Sequence, residues 1–312
     1  MSNKVKVSIL IPCYNSASFL QDVIDDLICE LNSFKKKLID VYEIILVVDG
    51  SPDKTFKVAS NLSNRYKQIK VFELTKNFGQ HAAIFAGISQ CQFPLIVTMD
   101  DDGQHPAKQI GELIEALDEE TDLVYGVSDG SVQGYFRSYF SRVAKKFLYR
   151  FLDVDKANEI SAFRIFRKSL LQGIDFQRIN IGIVDVLLHW STSRIKSIPV
   201  IMTKRLEGHS NYTFKALLKF GIYLITGYSI KPLRIAAALG IASLVISLSL
   251  ASILTFARIL GKIDIPGYTS LVVLIMTFGS LQLLTLGIIG EYVGRIHERI
   301  NSKPSFLFRD RN

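Results

Sequence analysis

Residues 97–106 read VTMDDDGQHP and carry three consecutive carboxylates, Asp100, Asp101 and Asp102. Carboxylates crowded this closely repel one another, so a fold that gathers them calls for a cation. On an extended backbone Asp100 and Asp102 point to the same side, which offers a hard divalent ion two oxygen ligands. Mg²⁺ or Mn²⁺ suits such a pair, and its coordination is usually completed by substrate phosphates and water. A solvated acidic turn or a helix cap is the competing reading of the same residues. Two features favour the metal: Leu95, Ile96, Val97 and Thr98 read as the end of a buried strand, and the chain is otherwise basic. Pro106 and the polar run behind it start a helix.

The surrounding pattern supplies the elements that must position this cluster. Strand-like runs fall at 5–13, 42–49, 69–75, 93–100 and 122–127. Helical spacing occupies 17–34, 53–66, 79–91 and 106–117 between them. This alternation predicts an α/β fold with a doubly wound, mostly parallel sheet covered on both faces. In such sheets ligands bind at the carboxyl ends of the strands. Asn15, Asp49 to Asp53, Lys76, Asn77 and Asp100 to Asp102 all fall at those ends, which argues for one active site. Asp49 and Asp53 in VVDGSPDKT could contact a base or ribose, and each could equally cap the following helix. The glycine turns match neither GxGxxG nor GxxxxGK[ST], which excludes dinucleotide and P-loop motifs.

Composition narrows the class. A hydrophobic share of 48% is high for a purely soluble chain, and a net charge of +8 points to an anionic partner: nucleic acid, a membrane surface or phosphorylated substrates. Cys13, Cys29 and Cys91 have no metal-like spacing and read as reduced thiols of a cytosolic compartment. The first fifteen residues hold an apolar run too short for a signal peptide, so translocation of the N-terminal half is not expected. From 135 to 153 aromatic and basic residues interleave, as in a core helix with a basic side, a membrane-surface helix or a nucleic-acid reader. No known reader motif accompanies them, and nucleic acid is not the expected partner. Trp190 reads as core or interface packing.

Near Tyr212 the composition changes. Residues 235–257 and 265–290 contain no charged side chain. Each exceeds the roughly 20 apolar residues that a bilayer crossing needs. The pair reads as a transmembrane hairpin, preceded by a juxtamembrane interfacial segment at 213–234 and followed by a tail at 291–312. Lys215, Lys219, Lys231 and Arg234 precede it, and Arg295, Arg299, Lys303, Arg309 and Arg311 follow. The positive-inside rule then places both termini and the domain at 1–212 in the cytoplasm, at the inner membrane. Gly240, Ala242, Gly287 and Gly290 would permit close helix contact, including in a homo-oligomer.

Taken in order, eight segments of the sequence resemble family 2 glycosyltransferases of the polyprenyl-phosphate type. They are SILIPCYN (8–15), VVDGSPDKT (47–55), KNFGQHAAIFAGI (76–88), MDDDGQHP (99–106), SAFRIFRKSLL (161–171), KRLEGHSNYTF (204–214), YSIKPLRIAAALG (228–240) and EYVGRIHERINSKPSF (291–306). The resemblance implies a GT-A-like nucleotide-sugar-binding domain. It also implies inverting, metal-dependent transfer of a single sugar to a polyprenyl (undecaprenyl) phosphate, serving the cell envelope. A nucleotide-sugar donor, a polyprenyl phosphate acceptor and the lipid bilayer are the implied partners.

Carried onto these positions, Asp100, Asp102 and Gln104 would hold Mg²⁺ or Mn²⁺. Pro12, Tyr14, Asn15, Asp49, Asp53, Lys76, Asn77, Asp101 and Ser210 would line the substrates. Arg137, Arg164, Lys204 and Arg205 would hold two anions together, since Arg and Lys suit phosphate geometry. Glu159 stands nearest to where the family often has an Asp base, with Asn158 beside it. The family often has Leu where Gly103 stands and a second Asp where Val48 stands. Those departures keep open an alternative, a catalytically degenerate membrane-tethered binding or scaffold protein. The Q/R-x-x-R-W motif of processive synthases is absent, in keeping with transfer of one sugar.

Overall fold

A computed structural model describes residues 4–35, 37–128, 160–176, 183–201, 231–260, 267–300 and 304–310. Arg137, Asn158, Glu159, Lys204, Arg205, Ser210, the basic aromatic stretch at 135–153 and most of the juxtamembrane segment lie outside these residues. The chain divides into two compact units, one comprising Met1–Asn211 with Ser302–Asn312 and the other Tyr212–Asn301.

The described strands of the first unit form one seven-stranded sheet. They are β1 (Val5–Cys13), β2 (Ile39–Val48), β3 (Ile69–Glu73), β4 (Leu95–Thr98), β5 (Leu123–Ser128), β6 (Arg164–Arg167) and β7 (Ile195–Val200), in the order β3-β2-β1-β4-β6-β5-β7. All run in one direction except β6, which lies antiparallel between β4 and β5. The sheet is therefore mixed, and the expectation of a doubly wound, mostly parallel sheet holds with β6 and β7 added. Neither strand announces itself in sequence. β6 is the four-residue RIFR, and β7 carries Lys196 and Pro199, which an edge strand tolerates.

β1 is apolar on both faces because both faces are covered, and every residue from Val7 to Cys13 is buried. Val7, Ile9 and Ile11 pack on one side with Leu20, Ile24, Leu27 and Leu31 of α1 (Leu20–Phe34), Ala59 and Leu62 of α2 (Thr55–Arg65), and Leu113 of α4 (Ile110–Ala116). Leu10 points to the other side, against α3 (Gln80–Gln90) and α5 (Val184–Ser191). Trp190, expected in packing, stands 54% exposed near the end of α5. The three cysteines are free, as expected.

Chain order fixes where a ligand can enter. The chain runs outward through β1, β2 and β3, then returns across β1 to lay down β4 on its other side. The loops leaving β1 and β4 therefore diverge in opposite directions, and this topological switch point opens a crevice at their carboxyl ends.

The second unit contains two long helices packed on each other, α6 (Lys231–Ile259) and α7 (Tyr268–Ile300). Large apolar side chains stand exposed along both, among them Ile241, Val245 and Phe256 on α6 and Ile275, Leu283 and Leu286 on α7. Several side chains within these helices fall outside the described set. Among the described residues, no helix is long and apolar enough to cross a membrane. Beyond α7 the tail does not simply trail away: residues 304–310 rejoin the first unit at β3.

The packing of α3 on β1 sets a first prediction. A Cβ at Gly87 would sit 2.1 Å from Leu10 Cδ1 and 3.0–3.1 Å from two further atoms of that buried side chain. Gly87→Ala gains about 1 kcal/mol of helix propensity but overpacks the core by typically about 1–3 kcal/mol. The variant should melt below the wild type; an equal or higher melting temperature would contradict this packing.

Candidate functional site

At the switch point the loops after β1 and β4 are tied together through Asp101. Its carboxylate accepts from the Tyr14 backbone N–H at 3.1 Å and from the Ser16 hydroxyl. Burial, with Asp100 and Asp102 on either side, pushes Asp101 up to about 6 despite those two bonds. Asp101 thus braces the two loops.

Its neighbours are placed differently. Asp100 is half-buried, and its Oδ1 accepts from Gln80 Nε2 at 2.6 Å. Asp102 is 4% exposed, and its Oδ1 accepts from the Gln104 N–H at 3.1 Å, closing a turn through Gly103. Gly103 has φ 71°, a left-handed conformation that glycine adopts without strain, which accounts for its presence where the family often has Leu. His105 completes the loop from beneath. Its Nδ1 accepts from the Asp100 N–H at 3.1 Å and its ring stacks on Phe163. Burial holds His105 down to about 4, which keeps it neutral and an acceptor.

Asp49 and Asp53 resolve toward support. Asp49 is buried, and its two oxygens accept from the N–H groups of Phe78 (2.7 Å) and Gly79 (2.8 Å). Burial raises its pKa, with the two amide bonds pulling the other way. Asp53 Oδ1 accepts from the Thr55 N–H (3.0 Å) and from the hydroxyls of Thr55 and Ser51, while Oδ2 accepts from the Ala17 N–H. It lies just before α2 and ties the start of that helix to the β1 loop. Between them Gly50, at φ 56°, passes so close to the next loop that a Cβ there would lie 2.2 Å from the Lys76 carbonyl carbon.

Pro12 lies buried near the end of β1, paired in register with Val47. Tyr14, Asn15, Lys76 and Asn77 remain exposed around the crevice. Asn15 has φ 56°, and its N–H donates to the Ser51 hydroxyl at 2.9 Å.

Arg164, expected among the cations open to phosphate, is instead 1% exposed and paired with Asp185 of α5. Tyr125 donates to the same carboxylate at 2.9 Å. Burial opposes both charges, yet Arg164 is held above and Asp185 below its ordinary range because each stabilises the other. Arg164 Nε and the Nδ1 of nearby His81 are buried with no hydrogen-bond partner among the described residues. Gln80, Ser16, His105 and Asp185 escaped sequence reading. For His105 and Gln80 the signal lay inside quoted motifs; nothing local marks Asp185 as the partner of Arg164.

Asp100 and Asp102, the two acids that sequence reading offers to a cation, stand on either side of Asp101 at the end of β4. Among the described residues no three His, Cys, Asp or Glu side chains converge as a preformed metal cage. A pair of carboxylates still fits Mg²⁺ or Mn²⁺ chemistry, because those ions are commonly held by one or two carboxylates plus substrate phosphates.

Residues 8–174 match the family model described as glycosyl transferase family 2. An uncharacterized glycosyltransferase of Synechocystis sp. is 31% identical over 308 residues, covering 98% of this chain and 95% of the relative. An undecaprenyl-phosphate 4-deoxy-4-formamido-L-arabinose transferase of Yersinia pestis is 29% identical over 306 residues, covering 97% of this chain and 92% of that protein. Among solved structures, the glucosyl-3-phosphoglycerate synthase of Mycobacterium tuberculosis, in complex with Mn²⁺, uridine-diphosphate-glucose and phosphoglyceric acid, is similar with a TM-score of 0.50 at 17% identity, over 71% of this chain and 78% of that one. The likeness identifies the first unit as a GT-A-like α/β fold.

The Arg164–Asp185 pair yields a second prediction. Asp185→Asn leaves a buried guanidinium without its counter-charge and should cost roughly 3–5 kcal/mol, read by chemical denaturation. Because the folded-state pKa of Asp185 is depressed, its contribution is present above the unfolded value of about 4 and is lost as pH falls through the lower folded value. The acid-side loss of stability should therefore be smaller in the variant than in the wild type. Equal stability at neutral pH would contradict the pairing.

Proposed function

The chain belongs to glycosyl transferase family 2, and on that premise we propose that it transfers a single sugar from a nucleotide-sugar donor to a polyprenyl phosphate held in a membrane. The observation that carries this reading is the pair Asp100 and Asp102 at the switch-point crevice, braced by Gln80, His105 and the Asp102–Gln104 turn. The donor would bind across the carboxyl ends of β1 and β4, with exposed Tyr14 and Asn15 on one side and Lys76 and Asn77 on the other.

Asp100 and Asp102, with Gln104 beside them, would hold Mg²⁺ or Mn²⁺, which supplies neutralisation of the charge on the departing nucleoside diphosphate. A phosphate oxygen of the acceptor attacks the anomeric carbon from the face opposite the leaving group. The bond from that carbon to the diphosphate oxygen breaks, and configuration inverts. Because an acceptor phosphate is already ionised at neutral pH, the step makes little demand on a general base; Glu159 is the position proposed for any such help. Arg137, Lys204 and Arg205 are proposed as the cations that offset two converging anions.

Support for a lipid-borne acceptor comes from the second unit. The likeness to the undecaprenyl-phosphate transferase runs over 97% of the chain and so takes in both long helices. α6 and α7 are 29 and 33 residues long; the uncharged stretch 235–257 lies within α6, and residues 268–290 of the second uncharged stretch lie within α7. At about 1.5 Å per residue each helix exceeds the roughly 30 Å of a bilayer's hydrocarbon core. The chain leaves the first unit before α6 and rejoins it after α7, as a two-crossing hairpin requires. Together with the basic flanks, this favours a catalytic unit and both termini in the cytoplasm.

Incubation of the purified chain in detergent with undecaprenyl phosphate, Mn²⁺ and a panel of radiolabelled nucleotide sugars tests the proposal. One donor should give a labelled lipid product that EDTA abolishes. Asp102→Asn should fold normally and lose at least about 100-fold in turnover, the scale of removing a charge-stabilising group. Undiminished transfer by that variant would overturn the assignment. Donor binding without any transfer would instead favour the degenerate, tethered binding protein.

A further inference from the structure

The chain's last described residues do something that their place beyond α7 does not suggest. Residues 307–309 pair antiparallel with residues 73–75 at the carboxyl end of the edge strand β3. Arg309 N–H donates to the Glu73 carbonyl at 2.7 Å, Thr75 N–H donates to the Leu307 carbonyl at 2.9 Å, and Leu74 and Phe308 form the bridge between them. Side chains lock this register. Phe306 is 1% exposed and sits in the core with Leu74, Ile84 and Val47. Phe308 packs on Phe72 and Phe306. The Arg309 guanidinium reaches the Glu73 carboxylate (3.3 Å) and the Thr75 carbonyl (3.1 Å).

Covering a sheet edge protects against unwanted pairing, but the position of Thr75 gives this contact a further consequence. Thr75 opens the loop that leads through Lys76 and Asn77, whose backbone lies against Gly50, to Phe78 and Gly79, whose amides Asp49 holds. Gln80 follows at once and donates to Asp100. A continuous set of contacts therefore runs from the tail, through one short loop, to a proposed metal ligand.

We propose that residues 304–310 are a positioning element of the donor site, with Arg309 and Phe308 acting through Thr75 to order the 76–79 loop and, through Gln80, Asp100. The assignment of this loop to a donor rests on the glycosyltransferase reading above; its bracing by the tail does not. During synthesis the tail emerges only after both long helices. The donor loop is thus completed after the helical hairpin exists.

Amide hydrogen exchange on the full-length chain in detergent, without ligand, tests the brace directly. Arg309→Gln and Phe308→Ala should speed exchange of the Phe78 and Gly79 amides at least tenfold while leaving β1 unchanged. In parallel, binding of UDP and of GDP, each with Mn²⁺, should weaken at least fivefold in both variants. Unchanged exchange at 78 and 79 in the folded variants would overturn the proposal and leave the tail as an edge cover alone. Should Phe308→Ala fail to fold, the half-exposed Arg309 decides the matter by itself. Failure of the wild-type chain to bind either nucleotide would count against the glycosyltransferase reading, and the ligand-free exchange rates would still decide the brace.

Discussion

Like charges a few ångströms apart repel by several kcal/mol at the effective dielectric of about 20 typical of protein sites, and three aspartates in succession at the end of β4 face that repulsion directly. The fold handles it by giving each carboxylate a different environment. Asp101 joins the β1 loop through Tyr14 and Ser16, and desolvation there raises its pKa. Asp102 closes its own turn, and Asp100 is met by Gln80. The arrangement gives Asp101 a bracing role, with Asp100 and Asp102 on either side of it. A pair of carboxylates of that kind suits a divalent ion that arrives with phosphate oxygens of its own, rather than one held permanently by the protein.

Most polar residues around the crevice serve to hold backbone in place. Asp49 gathers the 76–79 loop, Asp53 anchors α2 to the β1 loop, and His105, kept neutral by burial, supports the Asp100 amide. Deeper still, the Arg164–Asp185–Tyr125 group ties β6, β5 and α5 together. Among the described residues, Tyr14, Asn15, Lys76 and Asn77 stand exposed at the carboxyl ends of the strands.

The parts that were legible in sequence are those whose signal is local. β1 to β5 and α1 to α4 declare themselves by apolar period and by Gly, Pro and Asp at their ends, and the switch point follows from their alternation. The carboxylates at 100–102 were legible for the same reason. What escaped depends on partners distant in sequence. RIFR reads as a polar motif until Asp185 is seen to neutralise Arg164, and the arginine taken for a phosphate clamp is then a buried ion pair. Asp49 reads equally as ligand or support until the amides of Phe78 and Gly79 arrive thirty residues later. Trp190 follows an apolar run and yet faces outward. Nothing local in the tail marks its pairing with residues 73–75, which lie more than two hundred residues upstream.

The central claim is that Asp100 and Asp102 hold a divalent ion together with a donor's diphosphate. Electron paramagnetic resonance of Mn²⁺ added to the purified chain, with and without UDP or GDP, tests it most directly. The account predicts weak binding of Mn²⁺ alone, one tightly held ion per chain once the matching nucleotide is present, and phosphorus couplings that place the diphosphate in its coordination sphere. Nucleotide binding that proceeds equally well without Mn²⁺, with the spectrum of the free ion unchanged, would contradict it.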